Sequence, residues 1–172
     1  MSINYKKEAK ALNHQADKLY KDGLYKDAIK LYIESVKLMR QAGKPKVAEK
    51  YQDELNKTVM RRSEEINHEA DNLLKEGKYE QAVKVYEDAY DLLEQAGQKW
   101  LYKKGDHYLK ELNKAREKYA EKLKDDAEKL IKDKDWEAAV EIFETILKTI
   151  SPEIDQKFYE KIRDISSCNF IF

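Results

Sequence analysis

Cysteine is almost missing from this chain. Cys168 stands alone among 172 residues, which excludes an internal disulfide framework and suits a reducing compartment. Proline occurs twice and glycine five times, so breaks are few and the elements between them are long. No apolar run approaches the roughly 20 residues needed to cross a bilayer. The opening MSINYKKEAK has no apolar stretch of the secretory type, and the expectation is a soluble cytoplasmic protein. Net charge is absent too: 34 basic residues balance 34 acidic ones. Bulk attraction to nucleic acid or to an anionic lipid surface is therefore not implied.

What is present is charge of both signs, 40% of all residues, alongside an apolar 41% that includes twelve tyrosines. Lys, Glu, Ala and Leu dominate, a composition typical of long exposed helices. The balance of charge is uneven along the chain. Residues 1–62 carry 15 basic and 8 acidic side chains, whereas residues 63–98 carry 3 and 10. An acidic partner for the first third is one reading of this; a solvated helix face is the other.

The strongest signal is repetition. NHQADKLYKDGLYKDAIKLY at 13–32 recurs as NHEADNLLKEGKYEQAVKVY at 67–86. A shift of 54 carries Ala16, Leu19, Gly23, Tyr25, Ala28 and Tyr32 onto Ala70, Leu73, Gly77, Tyr79, Ala82 and Tyr86. A further shift of 57 reaches Ala127, Leu130, Trp136, Ala139 and Phe143, with Lys134 where the earlier copies have glycine. The three copies are placed at 3–66, 67–123 and 124–167, the third being truncated, and an apolar tail follows at 168–172.

Apolar residues within each copy fall at helical steps of three and four. Ala48, Tyr51, Leu55, Val59, Ile66, Ala70 and Leu73 form one stripe with no Gly or Pro to interrupt it. The spacing predicts long helices at about 46–75 and 99–133, about 45 and 52 Å long. Shorter helices are predicted at 25–42, 79–96 and 136–149, and a last one near 153–167. Gly23 and Gly77 suit left-handed helix ends, while Pro45 and Pro152 suit first turns. Two helices joined by so short a turn pack antiparallel. Small Ala16 and Ala28 are expected where the pair crosses, with Tyr25 and Tyr32 filling the gaps. Neither helix buries its face alone, so the same interface must recur from copy to copy.

The pattern Ala-x2-Leu-x3-Gly-x-Tyr-x2-Ala-x3-Tyr at 16–32 and 70–86 resembles the core of a tetratricopeptide repeat, although the period of 54–57 residues exceeds the 34 of that family. It also resembles microtubule-interacting and trafficking (MIT) domains, three-helix bundles with the same alanine and tyrosine spacing. RRSEEI at 61–66 and YAEKL at 119–123 are similar to the ending of their third helix. The resemblance implies an all-α fold of tandem antiparallel hairpins joined by long shared helices, elongated in outline. It further implies a non-enzymatic scaffold or adaptor that binds peptides or amphipathic helices of other proteins. In the trafficking version these are ESCRT-III-type tails of membrane-remodelling filaments. A structural spacer or self-assembling rod is the alternative.

Chemistry-bearing constellations are scarce. His14 and His68 occupy equivalent places in two copies and have no Cys or His at ligand spacing; His107 stands alone. The glycines are isolated and form no phosphate loop. No catalytic, cofactor-binding or metal-binding residue is assigned, no cofactor is called for, and an enzyme is not expected. The candidate partner contacts lie on and beside the first short helix. Leu24, Leu31 and Leu38 form a second apolar line there, and Leu31 and Leu38 are taken as groove contacts. Lys37, Lys46, Lys50 and Lys57 are placed as a basic margin that would favour an acidic segment. Trp100 is read as an exposed anchor, and the terminal NFIF either docks on the last copy or touches another chain.

Overall fold

In a computed structural model describing residues 4–150, six helices follow one another: α1 (Tyr5–Lys21), α2 (Tyr25–Gln41), α3 (Pro45–Lys75), α4 (Tyr79–Gln95), α5 (Gln98–Lys132) and α6 (Trp136–Thr149). No strand occurs among the described residues, and the fold is all-α. The helix expected at 153–167 and the apolar tail at 168–172 lie outside them.

The helix ends show why the breaks fall where they do. After α1 the Gly23 amide donates to the Tyr20 carbonyl at 3.1 Å and the Leu24 amide to the Leu19 carbonyl at 2.9 Å. This paired closure requires a left-handed residue, and Gly23 supplies it at φ 76°. Gly77 closes α3 in the same way at φ 74°, through bonds to Leu74 and Leu73. The third copy makes the same closure with Lys134 at φ 62°, bonded to Ile131, while the Asp135 amide reaches Leu130. A lysine there bears the steric cost that the glycines avoid. Side-chain caps open two helices: Asn4 Oδ1 accepts from the Lys7 amide and Asp135 Oδ1 from the Ala138 amide.

The described chain divides into two compact units. One runs up to Ala70 and takes in Val85–Tyr108; the other holds Asp71–Lys84 and resumes at Leu109. These limits differ from the repeat limits because α3 and α5 run unbroken through the places where one copy of the sequence gives way to the next.

In the first unit α1 packs against α2. Ala16 and Ala28 have no exposed surface and sit in one cluster with Tyr32, Leu55, Val59, Met60, Ala89 and Leu93. The Tyr32 hydroxyl donates to Asp17 Oδ1 at 2.7 Å, tying α2 back to α1. Tyr20 and Tyr25 close the turn, with ring centroids 5.5 Å apart. A neighbouring cluster joins Ala9, Leu38, Met39 and Ala48. The buried Ser63 hydroxyl donates to the Ala89 carbonyl at 2.6 Å, linking α3 to α4. Lys104 on α5 pairs with Glu64 on α3. Partial burial pushes the Glu64 carboxyl upward, but the Lys104 ammonium and the Arg61 guanidinium outweigh it and hold it below its usual range. In the second unit Ala120, Ala127, Phe143, Ile146 and Ile150 make the core between α5 and α6. Of the tyrosines expected in the core, Tyr32, Tyr86 and Tyr108 are buried; Tyr25, Tyr51 and Tyr79 are half-buried.

Two substitutions test this construction. Ala28→Leu forces extra methylenes into a filled crossing and is expected to lower unfolding free energy by about 1–3 kcal/mol, read as a lower urea midpoint. Lys134→Gly removes the left-handed penalty at the cost of a freer unfolded chain. It is expected to raise stability by about 1 kcal/mol in the same assay, whereas Gly23→Ala should lower it.

Candidate functional site

The first unit carries a cleft of about 430 Å³ between α2 and α3. Ile33, Val36 and Leu55 line it with hydrocarbon, and Lys37, Arg40 and Gln52 stand around it. The amphipathic period of α2 builds this arrangement. Val36 belongs to the core-facing stripe and is 3% exposed. Ile33 lies at the stripe's edge and is 52% exposed. Lys37 and Arg40 follow within a helical turn and point outward. From α3, Leu55 enters the core while Gln52, one turn earlier, stays at the margin. Arg40 Nη2 donates to Gln52 Oε1 at 3.4 Å, and Gln52 Nε2 donates to Asn56 Oδ1 at 3.0 Å. Lys37 lies 3.5 Å from Glu34, both largely in water, so that pair is weak and readily exchanged.

A second cleft, of about 420 Å³, involves the same two helices and α4. Ile29 of α2, Ile66 of α3 and Leu92 of α4 supply its apolar lining; Lys26, Arg62, Asp88 and Asp91 supply charge of both signs. Residues 26, 29, 33, 36, 37 and 40 share one face of α2, and residues 52, 55, 62 and 66 share one face of α3. The two clefts therefore lie along the same faces of α2 and α3, about 21 Å from Lys26 to Arg40 along α2, with α4 walling the second.

The sequence candidates distribute unequally over this surface. Lys37 lines the first cleft. Leu38 does not: it is 6% exposed and packed with Ala9, Met39 and Ala48, so it has no free surface for a partner. Leu31 is half-buried against the main core, and Leu24 alone of that line is exposed. The heptad line of leucines thus turns inward instead of forming a groove. Lys46, Lys50 and Lys57 are exposed but are not a margin of the seam. Lys50 lies two residues before Gln52 and Lys57 two after Leu55, about 200° around the helix in each case. Trp100 is half-buried against the main core, with the Lys99 and Lys103 ammoniums 5.4 and 5.6 Å from its ring centroid. Its neighbour Tyr102, at 93% exposure, is the free aromatic.

Ile33 and Arg40 did not stand out from periodicity. Comparison of the copies contains the missing signal. Ile33 corresponds to Glu87 and Glu144, so it is an apolar residue where the other copies are charged. Lys37 and Arg40 correspond to Asp91 and Glu94, a reversal of sign.

Among the described residues no group of three or more His, Asp or Glu is arranged to hold a metal ion, and no helix is long and apolar enough to cross a membrane. No protein-family model, curated protein or solved structure matches this chain.

The same unit holds the Tyr32–Asp17 bond between α2 and α1. Burial first, and then the Asp17 carboxylate, push the Tyr32 phenol well above its usual value. The folded state thus favours the protonated phenol, while the unfolded chain releases that proton near pH 10. Its contribution is complete below about pH 10 and is lost as pH rises further. Tyr32→Phe is expected to cost about 1–2 kcal/mol at pH 8 and to reduce the loss of stability between pH 8 and pH 11 relative to the unaltered chain, both read from urea midpoints.

Proposed function

We propose that this chain is a non-enzymatic protein-binding scaffold whose first unit seats an amphipathic helix along the α2–α3 seam. The observation that carries this reading is Ile33: a large aliphatic side chain left half in water over the apolar Val36 and Leu55, with Lys37 and Arg40 beside it. Such an edge costs solvation when empty and is covered by a helix with apolar residues at steps of three and four. The Lys37 and Arg40 charges favour acidic side chains on that helix. They also favour its C-terminal end, where the helix dipole is negative. The seam's length of about 21 Å accommodates about 14 residues of helix. The flanking helices are held by their own core before any partner arrives, so little ordering of the scaffold opposes binding.

The trafficking version, with tails of membrane-remodelling filaments as the bound helices, draws on the sequence resemblance alone. A cytoplasmic setting is part of the same proposal, since a chain with one cysteine gains nothing from an oxidising compartment.

The test is photo-crosslinking from residue 33 of the full chain, with mass spectrometry of the captured segments. Acidic amphipathic segments are expected from residue 33, and far fewer from residue 46, on the opposite side of α3. Ile33→Glu with Lys37→Glu is expected to weaken binding of such a segment at least tenfold while leaving the thermal midpoint within about 2 °C, because both residues are exposed. Crosslinks confined to residue 46 or to the helix turns would remove this reading. Growth into filaments with rising concentration, seen by light scattering, would replace it with the rod.

A further inference from the structure

We infer that the second cleft takes a lysine or arginine side chain of the bound helix and so fixes that helix's direction. Its N-terminal end lies toward Asp88 and Asp91, and its C-terminal end toward Lys37 and Arg40. This direction rests on the seat for a helix along α2 and α3 proposed above. The two clefts differ in the sign of their charge. Lys37 and Arg40 line the first, and no carboxylate does. At the second, α4 adds the exposed Asp88 and Asp91. Of the two cations there, Arg62 is already paired with Glu65, which leaves Lys26 against two carboxylates. Among the described residues neither Asp88 nor Asp91 is held in an ion pair.

Asp88 and Asp91 are three residues apart on α4, so their carboxylates stand on one face. Ile29, Ile66 and Leu92 line the same cleft, each half-buried. A side chain with an aliphatic stem and a cationic head matches this combination: the stem covers hydrocarbon while the head meets the carboxylates. Along α2 the step from Lys26 to Lys37, or from Ile29 to Arg40, is about 11 residues or about 16 Å. A helix laid parallel to α2 therefore needs a basic residue about 11 positions before an acidic one, with apolar residues between them at steps of three and four. Its backbone agrees with that order. The partial positive charge of its N-terminus meets Asp88 and Asp91, and the partial negative charge of its C-terminus meets Lys37 and Arg40. Laid the other way, both ends of the same helix meet like charge.

The probes are two synthetic peptides of about 18 residues and one composition, with leucines at helical steps. The first carries two arginines near its N-terminus and two glutamates about 11 positions later; the second has them exchanged. Binding to the full chain is read by fluorescence anisotropy at low salt, and the first is expected to bind about tenfold more tightly. Asp88→Asn with Asp91→Asn is expected to cut that preference to about threefold or less, with the thermal midpoint within about 2 °C because both residues are exposed. A photo-crosslinker at the N-terminus of the first peptide is expected to label α4 and not residues 37–41. Equal binding of the two peptides, each lost in Ile33→Glu, would overturn the direction while leaving the seat on α2 and α3. A preference unmoved by the two asparagines, or an N-terminal crosslink to residues 37–41, would overturn it likewise. Binding of neither peptide, or binding indifferent to Ile33→Glu, would remove the seat and the direction together.

Discussion

The joint burial of Ala16 of α1 and Ala28 of α2 in one core cluster is the constraint on which the rest of the first unit depends. Both alanines are wholly buried, and side chains this small leave room for two backbones to pack closely. At that separation Tyr32 reaches across to Asp17, and its ring joins the core with Leu55, Val59 and Met60 of α3. The α3 helix is thereby held alongside α2, and the seam between them follows. A larger residue at the crossing would push α2 outward, remove Tyr32 from Asp17 and widen the floor beneath Ile33. The stability of the unit and the shape of its cleft share one cause.

Helix-end chemistry shows how closely local rules and the global fold agree here. Gly23 and Gly77 meet a left-handed requirement, and the hairpins turn at those points. Lys134 meets the same requirement with the wrong residue and still closes the helix. The surrounding packing of Phe143 and Ile146 against α5 is therefore sufficient to impose a conformation that the local sequence resists. A penalty of about 1–2 kcal/mol is tolerable where a hairpin has an apolar core to close on.

The helices were legible in the sequence because their signals are local: glycine at a turn, proline at a first turn, apolar residues at steps of three and four. Alanines 16 and 28 were legible because repetition marked them. The cleft was less so. Periodicity tells which residues share a face, and Leu24, Leu31 and Leu38 do share one. It does not tell which face another helix will cover, and Leu38 is covered by Ala9 and Ala48. Lys46, Lys50 and Lys57 lie close in sequence to the cleft, yet three-residue and four-residue steps from Gln52 and Leu55 exclude them from its margin. Lys37 alone of that group is both near in sequence and correct in angle.

Repetition with reversed charge has a consequence for stoichiometry. Lys37 and Arg40 give way to Asp91 and Glu94 one copy later, and the aliphatic Ile33 gives way to Glu87. A ligand selected by cationic neighbours and an oily contact meets anionic repulsion at the next equivalent station. Three copies of a fold therefore do not make three equivalent seats. If the α2–α3 seam is the binding site we propose, the chain offers one seat of that kind, and gains in avidity would have to come from joining several chains.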